Sequence, residues 1–517
     1  MDSNKIKAIL VFVISTFIAI YLGIAAATAQ TEIVAWVTGV STLVVCLILG
    51  NKIWLLIPFM TSLSLTLMIP GTPSTVLVAQ ILFIGFSTLI LLTRRLPFSL
   101  QISELEIWIA LLTLCVVQVY VRNPVGLNIL GGSTVGGRAY FVYALTLIAA
   151  LIFCGLRVPA IQLRTAMLLS IIGGLLNFGA GLVGWFFPKL GVWYGAVEIK
   201  SLQQGITNEM VDTSVAGRID FLVKIPLTLS NWVSSHINPL RGAFHFKWLP
   251  LILLSFAFAA FSGYRNVIGA VGLTYLVGLF YRGGLVSVVV SGLIAASGLA
   301  ALAIFNTISP LPPNMQRAFS FLPGTWEKSY ILDGEASTDW RVEIWNEVLL
   351  TDRWIEDKIL GDGLGYSAKE MAVQEALSAK KGIAGGVSGF DFQRESILST
   401  GDYHSGPVSA VRTVGYVGLF IMALAQIRTL VHAHRLIRKY RSTEWFTIVL
   451  FFGIPTIWYP VFFWFVFGGF ALDGPAILMN AAIIRLLQNN LPPILPSAET
   501  EVTAMKKLPG SRVRALA

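Results

Sequence analysis

The stretch HSGPVSAVRTVGYVG, residues 404–418, decides how the rest of the chain is read. A long polar segment ends at its histidine, and an apolar run long enough for a membrane helix begins just after it. The pattern is His404-Ser405, nine residues, then Gly-x-x-Gly at Gly415 and Gly418. An imidazole held at the mouth of a membrane helix is costly to keep there, and such residues are candidates for function. The plainer alternative is a capping or interfacial histidine.

Outward from this stretch, composition sets the class. Apolar residues make up 55% of the 517, charged residues only 12%, and the mean hydropathy is +0.75. These values describe an integral membrane protein, and apolar runs of about twenty residues make it all-α. The net charge of +10 does not point to nucleic acid, because of where the charges fall. Segment 306–404 holds 15 of the 27 acidic and 9 of the 37 basic residues, which leaves 28 basic against 12 acidic elsewhere, mostly in short loops between apolar runs. That distribution orients a protein in a lipid bilayer. The three cysteines, Cys46, Cys115 and Cys154, lie inside apolar runs with neither metal-site nor disulfide spacing.

With about twenty residues per crossing, the apolar runs predict about fourteen spans. The first follows MDSNKIK and reads as an uncleaved span, too long for a signal-peptide core. The others run over 33–50, 53–69, 75–93, 105–121, 139–156, 165–187, 221–237, 248–262, 266–281, 284–305, 406–427, 445–467 and 469–487. The weakest is 221–237, interrupted by Lys224, Pro226 and His236, and it reads as a broken or re-entrant element. With the amino terminus inside, the loops bearing Lys52, Arg94-Arg95, Arg157, Arg241, Lys247 and Arg282 fall on the inner side. So do the basic loop RTLVHAHRLIRKYR (428–441) and the tail. Both termini are then cytoplasmic.

This topology divides the chain into helices 1–11 (residues 1–305), an outer cap loop (306–405), helices 12–14 (406–487) and an inner tail (488–517). In the cap, TDWRVEIWNEVLL (338–350) has the apolar spacing of a helix, with Trp340, Ile344, Val348 and Leu349 on one side. A second cap helix starts at the capping-box pair Ser367 and Glu370, and GIAGGVSGF (382–390) follows as a loop. Asp333-Gly334-Glu335 reads as a turn.

Arginine cannot shed its charge, so one held at a membrane boundary calls for an anionic partner. Arg265, in SGYRN (262–266), and Arg218, in AGRID, both fall at the outer face with His404. Two guanidinium groups near an imidazole suit a phosphate or diphosphate, which the planar fork binds through two bonds. Snorkelling to lipid headgroups or pairing with a cap carboxylate is the alternative for each. Arg341 lies four residues before Trp345, a spacing that permits stacking. Gly361, Gly363 and Gly365 form a tight turn that serves either packing or substrate contact. Asp402, two residues before His404, reads either as a group that orients the imidazole or as a solvated turn residue. No Asp-x-Asp, Walker, HExxH or GxSxG pattern occurs, so neither a metal nor a cofactor is expected.

Taken together, SGYRN (262–266), the run from Arg341 through Trp345 to Gly361 and Gly363, and HSx9GxxG (404–418) resemble the O-antigen ligase and Wzy-type polymerase superfamily. The likeness covers roughly the carboxyl-terminal half. It implies a glycosyltransferase of GT-C-like architecture in the bacterial inner membrane, with a periplasmic active site and a polyprenyl-diphosphate-linked oligosaccharide as donor. On that resemblance His404 is the general base and Arg265 holds the diphosphate. Arg218, Arg341, Trp345, Gly363 and Ser405 contact substrate. Exopolysaccharide or O-antigen polymerisation is the leading expectation, with a flippase and a chain-length regulator as companion proteins. A ligase passing the glycan to a lipid or protein acceptor is the near alternative, and a transporter or flippase the distant one.

Overall fold

The computed structural model describes residues 31–67, 73–125, 137–191, 218–365, 398, 401 and 403–494. The expected first span, the second cap helix from Ser367, the 382–390 loop, Asp402 and most of the tail lie outside these residues.

In chain order the helices are α1 (Thr31–Leu49), α2 (Leu56–Leu63), α3 (Thr75–Leu92), α4 (Glu104–Arg122), α5 (Arg138–Gly155), α6 (Ala160–Phe186) and α7 (Lys224–His236). They continue with α8 (Leu249–Phe261), α9 (Arg265–Ile308), α10 (Pro313–Phe319), α11 (Lys328–Leu350), α12 (Gly406–Lys439), α13 (Phe446–Phe465) and α14 (Phe470–Asn490). Among the described residues there is no strand, only two isolated bridges. Among the described residues nine helices are long and apolar enough to cross a membrane, counting Gly39–Leu63 and all of α9 as one each. The chain is therefore a helical, multi-pass membrane protein.

Several expected spans come out differently. The segment 53–69 is a 3-10 turn (Gly50–Leu55) followed by α2, which stops where Ser64 turns left-handed at φ 36°. The chain then reverses so that Thr66 pairs with Ser74. Helices α7 and α8 have 13 residues each, or about 20 Å of rise against a hydrocarbon core of about 30 Å. The basic stretch 428–441 is not a loop. Helix α12 carries on through it to Lys439, because Ala433, Leu436 and Ile437 keep the helical spacing of buried residues. Nor is Asp333-Gly334-Glu335 a turn; it lies within α11, where one glycine costs only about 1 kcal/mol.

The 44 residues of α9 would span about 66 Å as a straight rod. Instead Gly284, at φ 72° and ψ −171°, breaks the helix. Ile268 from the first arm and Leu299 from the second then pack in one apolar cluster around Ala260, Ala303 and Phe319. Only a reversal at Gly284 brings those residues together, which matches the two segments separated in the sequence at Arg282-Gly283.

The main core lies among α4, α5, α12, α13 and α14, with Leu112, Phe153, Val414, Phe463 and Leu478 in its interior. Its two ends differ in chemistry. At one end Glu104 pairs with Arg428 (2.9 Å) and His432 (3.1 Å), and Arg485 pairs with Glu106 (2.8 Å), tying α4, α12 and α14 together. At the other end lie the start of α12 with His404, the start of α14, and Arg122 at the end of α4.

Candidate functional site

The His404 end is built on a knot of two motifs far apart in sequence. Helix α12 breaks at Gly415 (φ 70°, ψ −179°), which leaves the first N–H groups of its second arm without helical partners. The turn 357–363 supplies them: Tyr416 N–H donates to the Lys358 carbonyl (2.8 Å) and Val417 N–H to that of Ile359 (3.1 Å). In return Asp362 N–H donates to the carbonyl of Arg412, in the first arm (2.6 Å). The turn is closed by the Asp357 carboxylate, which accepts from the N–H groups of Ile359 (3.0 Å) and Leu360 (2.9 Å). It is anchored to α4 by Arg122, which pairs with Asp357 (2.8 Å) and donates to the Gly361 carbonyl (2.6 Å). Those contacts hold the Asp357 carboxyl below its ordinary pKa, the Leu360 N–H first among them.

His404 sits at the head of this knot with a left-handed backbone, φ 51°. Few non-glycine residues adopt that conformation, histidine more readily than most, and it costs energy that the surroundings must cover. Its ring lies 5.3 Å, centroid to centroid, from that of Phe467. The preceding Tyr403 is 1% exposed. Trp345 of α11 clamps it by donating its indole N–H to the Tyr403 carbonyl (2.9 Å). Ser405 caps α12 through its carbonyl, which accepts from Ser409 N–H (3.0 Å), and its hydroxyl makes no capping bond.

One turn before Trp345 along α11, about 6 Å of rise, stands Arg341. Burial lowers its pKa, and so do the nearby charges of Arg218 and Arg265. Three guanidinium groups from distant parts of the chain thus lie within electrostatic reach of one another. Arg265 opens α9 and donates to the Arg317 carbonyl (3.1 Å) and the Ser320 hydroxyl (2.6 Å). Arg218 lies over the Tyr264 ring at 5.3 Å, and the Tyr264 hydroxyl donates to Asp220. Gathered cations of this kind favour a multiply charged anion such as a diphosphate.

Of the residues singled out in the sequence, Arg218, Arg265 and Arg341 converge, and Trp345 links them to Tyr403, the neighbour of His404 and Ser405. Gly363 is placed elsewhere. A Cβ there would come 2.5 Å from the Tyr140 hydroxyl, and the residue lines a cavity inside the bundle. Two arginines escaped the sequence reading. Arg317 is 5% exposed, and its charge reaches Tyr264 and Tyr330. Arg412 is 4% exposed and lies within the 404–418 stretch itself. An arginine seven residues into an apolar helix was signal enough for the second; nothing local distinguishes the first. Among the described residues no group of three or more His, Cys, Asp or Glu side chains gathers as a metal site would.

Comparison with known families finds no family model that matches the chain, and comparison with curated proteins finds no match.

Proposed function

We propose that the chain is an inverting glycosyltransferase that joins polyprenyl-diphosphate-linked glycan units at the His404 end of the bundle. The observation that carries this reading is the convergence of Arg218, Arg265 and Arg341, joined through Trp345 and Tyr403 to His404. In the proposed step the His404 imidazole takes the proton of an acceptor sugar hydroxyl. The freed oxygen attacks the anomeric carbon from the side opposite the diphosphate. The new carbon–oxygen bond forms as the old one breaks, and the diphosphate leaves with its electron pair. The arginines supply fixed positive charge where that negative charge develops, a role a divalent metal fills in other transferases. The resemblance of the motifs to the O-antigen ligase and Wzy-type polymerase superfamily supports the same chemistry. It also supports a position for that end on the outer face of the bacterial inner membrane.

The test is an assay of the purified chain in detergent with a polyprenyl-diphosphate-linked oligosaccharide and EDTA. The wild type is expected to produce a ladder of longer lipid-linked chains. His404→Ala is expected to lose about 10²–10⁴-fold in rate, the range of general-base contributions. Arg265→Ala is expected to lose about 10²–10³-fold, the range for one charge-stabilising donor. A well-folded His404→Ala protein with wild-type rate removes the base role. Product that appears only when a separate lipid or protein acceptor is added makes the enzyme a ligase instead.

A further inference from the structure

The end of the bundle away from His404 carries a surface that the proposed reaction does not use. There α7 returns through residues 237–248 into α8, and the return is a built turn. Asn238 caps it by accepting from Leu240 N–H (3.0 Å), and the N–H groups from Gly242 to His245 all donate to carbonyls within the turn. Two contacts fix it to its surroundings. The Asn238 amide donates to the Ser287 hydroxyl, just past the Gly284 break (3.2 Å), and the His236 ring packs against those of Trp232 and Trp248, with centroids 3.8 and 5.9 Å away. From this fixed backbone Phe244 and Phe246 stand out, 83% and 90% exposed. Arg241 and Lys247, which flank them, are exposed as well.

The charge around the turn is one-sided. From Phe221 to Trp326 the sequence contains no Asp or Glu at all. Among the described residues neither Arg241 nor Lys247 is in an ion pair. Water alone would satisfy the two cations, but it would leave two phenyl rings uncovered between them. Depth decides what covers the rings. The first arm of α9 (residues 265–283) rises about 28 Å, close to the hydrocarbon thickness of about 30 Å. It starts at the arginine cluster and ends beside Asn238, which sets the turn at the opposite boundary of the apolar layer. Leu285 and Val286, just past the break, are exposed too, so apolar surface continues from the turn onto the second arm of α9. A water-soluble partner could reach that surface only by displacing lipid.

We infer that the 237–248 turn is a docking surface for anionic phospholipid in the leaflet away from His404. Phe244 and Phe246 sit among the upper acyl chains, and Arg241 and Lys247 meet the phosphates. Interfacial segments divide their surface in this way, with aromatic side chains toward the acyl boundary and cations at headgroup level. The inference stands apart from the transferase reading, which concerns the other end of the bundle.

The test uses the purified full-length chain in phosphatidylcholine nanodiscs doped with phosphatidylglycerol that carries a photoreactive group near its headgroup. Crosslinks are mapped by mass spectrometry, and labelling is expected on residues 241–249. Arg241→Gln combined with Lys247→Gln is expected to reduce it about tenfold, the scale of two cations at a lipid surface. Phe244→Ser combined with Phe246→Ser is expected to reduce it as well. All four side chains are exposed, so an unchanged Tm in detergent is expected for both double variants. Raising the ionic strength from about 0.1 to about 1 M shortens the screening length from about 10 to about 3 Å. It is expected to weaken labelling of the wild type and to change little in the Arg241/Lys247 variant; this arm and the next need no variant that might fail to fold. Equal labelling of the turn by phosphatidylcholine carrying the same group overturns the inference, because the turn then meets lipid without selecting its charge. Crosslinks between Lys247 of two chains, with no lipid labelling, overturn it in favour of a second copy. A chain that forms a ladder but shows no labelling here keeps the transferase and loses this surface; labelling without a ladder does the reverse.

Discussion

Two glycines break two long helices with nearly the same backbone: Gly284 at φ 72° and ψ −171°, Gly415 at φ 70° and ψ −179°. Both occupy a region of backbone space that is essentially reserved for glycine. Their surroundings differ. A Cβ at Gly284 would meet nothing within 4 Å, so this break needs only the dihedral that turns α9 back on itself. At Gly415 a Cβ would lie 2.1 Å from the Ile359 carbonyl oxygen and 2.5 Å from Leu360 N. There glycine supplies both the dihedral and the space for a second backbone to dock. The first break is a topological hinge. The second is a joint that sets the position of His404 relative to the turn 357–363.

The comparison predicts a ranking. Gly415→Ala adds a backbone collision that no rotamer change relieves to a strained dihedral, and a loss of roughly 3 kcal/mol or more is expected. Thermal unfolding in detergent measures it; an unchanged Tm would break the distinction, because the turn would then yield at no cost. Gly284→Ala carries only the dihedral strain, about 1–2 kcal/mol within the usual range for such conformations. It is expected to leave any activity at the His404 end intact once folded, so a loss as large as that of Gly415→Ala would show that α9 needs close packing at its reversal as well. The smallest effect sharpens the comparison. Asp357→Asn keeps the acceptor that closes the turn but removes the charge facing Arg122. Both side chains are about a third exposed (34% and 35%), so about 0.5 kcal/mol is expected.

Asp357 also fixes the direction of a pH effect. Its folded-state pKa lies below the ordinary carboxylate value, so the charged form stabilises the fold. That contribution is complete above the ordinary carboxylate range and is lost as pH falls through the depressed value. The Asn variant removes this part of the acid-side dependence. Acid unfolding curves of the two proteins that coincide after a constant offset would rule the linkage out.

Much of the fold is legible in the sequence because apolar periodicity is a local property. The helices near 75–93, 105–121, 139–156 and 445–467 fall close to where hydropathy places them. The misreadings have local causes too. In 428–441 the charge density hides a buried face of Ala433, Leu436 and Ile437, and in 53–69 hydropathy runs past the point where Ser64 ends the helix. The candidate site is legible only in part. Arg265, Arg218 and His404 stand out as charges at the edges of apolar runs. Arg317 does not, because its environment is made by contacts from α9 and α11, which no window of sequence around it contains.

By itself the sequence determined the class of protein and the inventory of cations at helix boundaries, since both follow from where apolar runs begin and end. Only the tertiary structure decided which of these residues meet. Arg341 joins Arg218 and Arg265 because α11 folds back over the start of α9, and Arg138 comes to share a cavity wall with Arg412 because α5 and α12 border the same space. The glycines show the physical reason. A glycine in the sequence states that an unusual dihedral or a close approach is permitted; whether another backbone occupies the space it leaves is settled by packing.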